Sequence, residues 1–195
     1  MSSRTVAPSA VLTIPNGITA LRLACVPLFV WLLFSQDDRT AAAWLLAVLG
    51  ATDWVDGYLA RRLGQVSELG KVLDPVADRI LLFTVVISLL VDGSVPAVVG
   101  TLLIGREVLV SVAVLALAAA GAARIDVQWV GKAGTLALMV ALPLFMMTEP
   151  WGTASEVIAW LFAVPGLALM WYATWVYVPL ARRALREGRG EPQEG

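Results

Sequence analysis

Six apolar runs, at residues 18–34, 41–62, 72–91, 95–120, 129–148 and 156–181, occupy most of this 195-residue chain, and each approaches the length of helix that crosses a bilayer. A hydrocarbon core about 30 Å thick takes about 20 residues of α-helix. Backbone polar groups in lipid must be satisfied within the segment, so long continuous runs of this kind read as helices. Charged residues make up 15% of the chain, where a soluble domain carries about 25%, and the mean hydropathy is +0.80. The expected fold is an all-α integral membrane protein, a bundle of six transmembrane helices with a short N-terminal interfacial segment.

The breaks "SQDDRT", "RLGQVSELGK", "VDGSVP", "GAARIDVQ" and "TEPWGTASE" between the runs carry turn or polar signals. An even number of spans returns both termini to one side. Arg61, Arg62, Lys71, Arg124, Lys132 and the tail "ARRALREGR" fall on that side, while the opposite loops hold Asp37, Asp38, Asp92, Glu149 and Glu156 with only Arg39. The positive-inside rule then makes the termini cytoplasmic. No cleavable signal peptide is expected, because the first ten residues are polar and small and the first apolar run contains Arg22 without a following A-x-A site. The single Cys25 cannot form an intrachain disulfide, and the absence of histidine removes the commonest nitrogen ligand and the usual neutral-pH base. What chemistry remains is that of oxygen ligands.

Residues 51–79, "ATDWVDGYLARRLGQVSELGKVLDPVADR", concentrate that chemistry. Side chains three or four apart share a helix face. Asp53, Asp56, Gly57 and Ala60 stand at i, i+3, i+4 and i+7, and Gly70, Asp74 and Asp78 at i, i+4 and i+8. A short loop between the two runs makes them antiparallel neighbours, so four carboxylates are expected to converge near the cytoplasmic ends. Like charges in a partly desolvated place repel, and a buried carboxylate without a partner protonates or costs several kcal/mol. A hard divalent cation, Mg²⁺ or Mn²⁺, is therefore expected, and four carboxylates suit two ions better than one. Small residues at 57, 60 and 70 let a bulky polar ligand approach the backbone. Carboxylate-held Mg²⁺ with positions open to phosphate oxygens is the usual arrangement of phosphoryl-transfer sites. The alternative is that the acids line an ion path, pair with Arg61, Arg79 or Arg106, or lie at a wet helix end.

Written as D-x2-D-G-x2-A-R-x8-G-x3-D-x3-D, the residues Asp53, Asp56, Gly57, Ala60, Arg61, Gly70, Asp74 and Asp78 resemble the signature of the CDP-alcohol phosphatidyltransferases at every fixed position. The resemblance implies a multi-pass enzyme, usually a homodimer, that moves a phosphatidyl group from CDP-diacylglycerol to an alcohol and releases CMP. It implies that Asp53, Asp56, Asp74 and Asp78 hold two divalent ions, that Asp78 also takes the proton of the attacking hydroxyl, and that Gly57, Ala60, Arg61 and Gly70 contact the cytidine and its phosphates. The implied partners are CDP-diacylglycerol, a glycerolipid or glycerol phosphate acceptor and membrane lipids, with no nucleic acid. The implied setting is a bacterial cell membrane with termini and active site cytoplasmic: an interfacial segment over 1–17, a catalytic transmembrane domain over 18–181 and a polar tail over 182–195. Neutralised diphosphate charge and an in-line nucleophile are what phosphoryl transfer needs, and a carboxylate beside the hydroxyl is a sufficient base without histidine.

The segment "TIPNGITALR" is similar to those that open the phosphatidylglycerophosphate synthases and cardiolipin synthases of that family, which would direct Asn16, Thr19 and Arg22 toward the active site. Otherwise Pro15 and Asn16 start a helix and Arg22 snorkels. "GKVLDPVADR", with Lys71 as a further candidate contact, looks more like this glycerolipid branch than like the inositol-phosphate enzymes. Arg106 in "GREVL" and Lys132 in "VGKAGT" are cations inside the fourth and fifth runs, suited to balancing the carboxylates or binding an acceptor phosphate; the alternative for Arg106 is a pair with Glu107 or an aspartate. Phosphatidylglycerophosphate synthases commonly carry a further arginine and a further lysine where this chain has Val114 and Gly134. Fewer cations favour phosphatidylglycerol, a monoanionic lipid, as acceptor over glycerol 3-phosphate. Two other classes compete: a UbiA-type prenyltransferase, which separates its acidic motifs much further, and an ion-coupled transporter, which needs no stripe of small residues.

Overall fold

The apolar runs fold as helices, and the polar breaks supply their ends. The computed structural model describes residues 14–63, 68–119 and 129–188, the backbone alone for 14–16, 18, 53–63, 68–76, 118, 149–150 and 180–188. The helices are α1 (Ile14–Phe34), α2 (Arg39–Leu63), α3 (Glu68–Asp92), α4 (Ala97–Ala119), α5 (Trp129–Met146), the single turn α6 (Thr148–Trp151) and α7 (Thr153–Gly188). The all-α expectation holds. The chain divides into two units, Met1–Asp92 and Gly93–Gly195.

In the first unit, α1 packs on both α2 and α3. Its buried residues are Thr19, Arg22, Val26, Phe29 and Leu33, spaced alternately three and four apart, which is one face of a helix. Ala42, Ala43 and Leu49 of α2 and Ala77, Val85, Val86 and Leu89 of α3 are the buried apolar residues of the other two helices. The loop after α1 uses Asp37 at a φ of 52°, a left-handed conformation that aspartate tolerates. Asp38 caps α2, its Oδ1 accepting the Ala41 N–H at 2.8 Å. Gly93, at a φ of 75°, closes α3. Arg39 Nε lies 3.0 Å from Asp92 Oδ2, which brings the first residue of α2 to the last residue of α3, as an antiparallel pair of helices requires.

In the second unit α7 packs on α4, α5 and α6. Helices in lipid gain little from leaving water, so close packing carries their association, and small residues permit it. A methyl group at Gly134 would stand 2.7 Å from Met170 Cγ, 2.8 Å from the Gly166 carbonyl oxygen and 3.0 Å from the Met170 nitrogen. One at Gly166 would meet Ala137 Cβ at 3.1 Å, so the α5 and α7 backbones touch here with no room for side chains. Further along the pair, Phe145 and Trp160 meet edge to face with ring centroids 5.4 Å apart, a contact worth about 0.5–1.5 kcal/mol beyond its buried area.

Among the described residues, three stretches are long and apolar enough to cross a membrane: Ala97–Leu117, Trp129–Met146 and Thr153–Pro179. Thr19–Phe34 and Arg39–Thr52 are shorter apolar stretches. Six spans were expected; six helices have 18 residues or more, and among the described residues three of them hold a stretch that meets this measure. Large apolar side chains such as Leu21, Trp31, Val91, Leu115, Leu161 and Trp175 face outward from helices of both units. So much exposed apolar surface suits contact with lipid.

Candidate functional site

Asp53, Asp56, Gly57, Ala60 and Arg61 fall on α2, and Gly70, Lys71, Asp74 and Asp78 on α3. Both helices run unbroken through these positions, so the sequence spacings do become shared helix faces. The Arg39–Asp92 contact brings the start of α2 to the end of α3. Asp53 lies 14 residues along α2 from Arg39, and Asp78 lies 14 residues back along α3 from Asp92. Asp56 is 17 residues from the same anchor and Asp74 is 18. At 1.5 Å of rise per residue these are distances of about 21–27 Å. Counted along each helix from that contact, the two aspartate pairs stand at similar distances. The side chains of Asn16, Asp53, Asp56, Gly57, Ala60, Arg61, Gly70, Lys71 and Asp74 lie outside the described residues.

Asp78 is the described member of the four, and its carboxylate is half exposed. It pairs with Arg22 of α1, Nη1 donating to Oδ1, while the Arg22 side chain is only 8% exposed. The buried stripe of α1 explains the meeting: Arg22 follows Thr19 on the face that packs on α3. A guanidinium so enclosed requires an anion, because an unpaired buried charge costs several kcal/mol. The structure thus brings Arg22 and Asp78 together, with Thr19 buried one turn earlier on the same face. The donors on α2 and α3 are carboxylate oxygens, the ligand set that hard divalent cations such as Mg²⁺ or Mn²⁺ take, and helix spacing and similar distance from the Arg39–Asp92 contact are both compatible with their acting jointly.

The second unit holds Arg106 and Lys132. Arg106 is 12% exposed in its side chain and pairs with Glu107, itself 12% exposed. Its Nε also donates to Thr174 Oγ1 of α7 at 3.2 Å. The expected alternative of an Arg106–Glu107 pair is therefore present; the Thr174 contact had no signal in the sequence. Lys132 is exposed, its Nζ 5.8 Å from the centroid of the Trp129 ring, a cation–π arrangement suited to a membrane–water boundary. Position 134 is glycine because α7 backbone fills the space, so no lysine side chain fits there without separating the helices. Val114 is half exposed.

Comparison with known proteins supplies what geometry alone does not. A family model described as CDP-alcohol phosphatidyltransferase matches residues 12–178. The cardiolipin synthase (CMP-forming) of Streptomyces coelicolor is 38% identical over 184 residues, 90% of this chain and 86% of that protein. The CDP-diacylglycerol–glycerol-3-phosphate 3-phosphatidyltransferase of Pseudomonas fluorescens is 36% identical over 149 residues, 71% of this chain and 74% of its own. The Bacillus subtilis protein of that same name is 32% identical over 148 residues, 69% of this chain and 76% of its own.

Proposed function

The chain belongs to the CDP-alcohol phosphatidyltransferase family, and we propose that it transfers the phosphatidyl group of CDP-diacylglycerol to a hydroxyl of a glycerol-containing acceptor and releases CMP. Family membership sets aside the prenyltransferase and transporter readings. The observation that most supports a single reaction centre is the Arg39–Asp92 contact, which joins the two helices that carry the four aspartates.

In this reading Asp53, Asp56, Asp74 and Asp78 hold two divalent cations. When bound, these ions neutralise charge on the diphosphate and orient its oxygens. Gly57, Ala60 and Gly70 leave space for the cytidine diphosphate beside the helix backbones, and Arg61 adds a cation against its phosphates. Asp78 takes the proton of the acceptor hydroxyl as that oxygen bonds to the phosphatidyl phosphorus and the anhydride bond to CMP breaks. Arg22 keeps the Asp78 carboxylate oriented, and Asn16, Thr19 and Lys71 lie on the same two helices as further acceptor contacts. Six helices of 18 residues or more serve as six spans, with termini and site at the cytoplasmic face of a bacterial membrane, an interfacial segment over 1–17 and a polar tail over 182–195. A homodimer is the assembly that the family resemblance implies.

Phosphatidylglycerol is the leading acceptor, and the name of the Streptomyces relative, cardiolipin synthase (CMP-forming), supports it. The cations of the second unit support it: Arg106 already shares its charge with Glu107, and position 134 has no room for a lysine. The names of the Pseudomonas and Bacillus relatives support glycerol 3-phosphate as the second reading. With labelled CDP-diacylglycerol and equal concentrations of acceptor, cardiolipin should exceed phosphatidylglycerophosphate by about tenfold, the weight of one charge-assisted hydrogen bond. Inositol phosphate should yield little. Thin-layer chromatography of the lipid products reads the ratio, and dominant product from glycerol 3-phosphate reverses the order of the two acceptors.

A further inference from the structure

Arg106 and Glu107 sit at the middle of Ala97–Leu117, one of the apolar stretches long enough to span a membrane. Adjacent residues of a helix point about 100° apart and do not face each other. Their pairing therefore requires the guanidinium to be turned toward Glu107 and held there. The second hold comes from α7, where Thr174 Oγ1 accepts the Arg106 Nε–H at 3.2 Å. The Thr174 hydroxyl proton is itself committed, donated to the Met170 carbonyl at 2.9 Å. That leaves the oxygen only lone pairs to offer, which suits arginine, a group that donates and never accepts.

Two contacts from two helices thus fix the plane of one guanidinium. Among the described residues no protein group is paired with Arg106 Nη2, and that atom is not sealed from the surface, although the side chain as a whole is only 12% exposed. An arginine donates through five N–H groups in a planar fork that matches phosphate oxygens.

We propose that Thr174 is a positioning residue for the acceptor: by fixing Arg106 Nε it directs the remaining guanidinium donors to a phosphate oxygen of the acceptor. Glu107 holds the other end of the same plane and keeps the arginine compatible with an apolar helix. The proposal rests on the reading of Arg106 as an acceptor contact, and its test separates the two. Full-length enzyme is assayed at saturating CDP-diacylglycerol with varied phosphatidylglycerol. Thr174→Val keeps shape but removes the accepting oxygen, and should raise the acceptor KM roughly three- to tenfold, the weight of one hydrogen bond, with kcat and the CDP-diacylglycerol KM unchanged. Thr174→Ala should do the same, and Thr174→Ser should restore the parental KM. In an Arg106→Ala background, Thr174→Val should add nothing. If Arg106→Ala leaves the acceptor KM unchanged, the acceptor reading of Arg106 falls and the proposal with it. If Arg106→Ala raises that KM while Thr174→Val and Thr174→Ala do not, or if the two effects add in the double variant, the positioning role alone is overturned.

Discussion

Asp74→Ala should leave the protein folded in detergent and lower CMP release from CDP-diacylglycerol by roughly 10²- to 10³-fold or more, the scale on which one preorganised electrostatic contact to developing charge acts. The reasoning starts from repulsion. Four carboxylates on two adjacent helix stretches cost free energy unless cations compensate them, so removing one relieves repulsion in the metal-free protein. Thermal stability without added ions should therefore hold or rise slightly. Binding to the folded state alone stabilises it, so Mg²⁺ or Mn²⁺ should raise the melting temperature of the parent and do so much less for the variant. Asp53→Ala and Asp56→Ala should behave alike, because they fall on α2 at distances from the Arg39–Asp92 contact similar to those of Asp78 and Asp74. Near-parental turnover in any of the three would contradict joint metal binding by these residues.

Gly134→Ala should have the largest effect on stability. Its methyl group would stand 2.7 Å from Met170 Cγ, which can turn away, but also 2.8 Å from the Gly166 oxygen and 3.0 Å from the Met170 nitrogen, which are backbone. Relief requires α5 and α7 to separate along their whole contact, including Leu138, Ala141 and Phe145 against α7. Overpacking of this kind costs about 1–3 kcal/mol, a fall in melting temperature on the order of 2–12 °C for a chain of this size. Gly131→Ala is the matched control, since its methyl would meet Ala173 Cβ at an ordinary 3.6 Å. Differential scanning fluorimetry in one detergent compares them. Equal, small shifts for both would show that the helices are not in contact at Gly134.

Much of this was legible in the apolar runs. Those at 18–34 and 129–148 correspond to α1 at Ile14–Phe34 and α5 at Trp129–Met146, because a lipid-length apolar stretch has no other way to satisfy its backbone. Legibility falls where polar residues enter a helix. Residues 182–195 were expected as a polar tail, and α7 continues into them to Gly188, since "ARRALRE" is built of strong helix formers. Asp53, Asp56, Asp74 and Asp78 were legible as a candidate site because their spacing is a helical period and their type is costly in lipid. The partners of Arg106 were only half legible. Glu107 is its neighbour in sequence, but Thr174 is 68 residues away on a helix with apolar residues on every side. Such a helix carries no amphipathic period to say which face meets which neighbour. Small residues are the remaining signal, and Ala159, Ala163, Gly166 and Ala173 do mark the buried side of α7. The Arg39–Asp92 contact, which brings together the two helices of the candidate site, also joins residues distant in sequence, at opposite ends of two helices of equal length.

Phosphatidyl transfer is tested most directly by purified protein in mixed micelles with Mg²⁺ or Mn²⁺, phosphatidylglycerol, and CDP-diacylglycerol labelled in both the cytidine and an acyl chain. The expected result is CMP and cardiolipin formed one for one, with neither product without the acceptor or the divalent ion. CMP appearing with phosphatidic acid in place of a phosphatidyl product, or no CMP with any glycerol-containing acceptor, would contradict it.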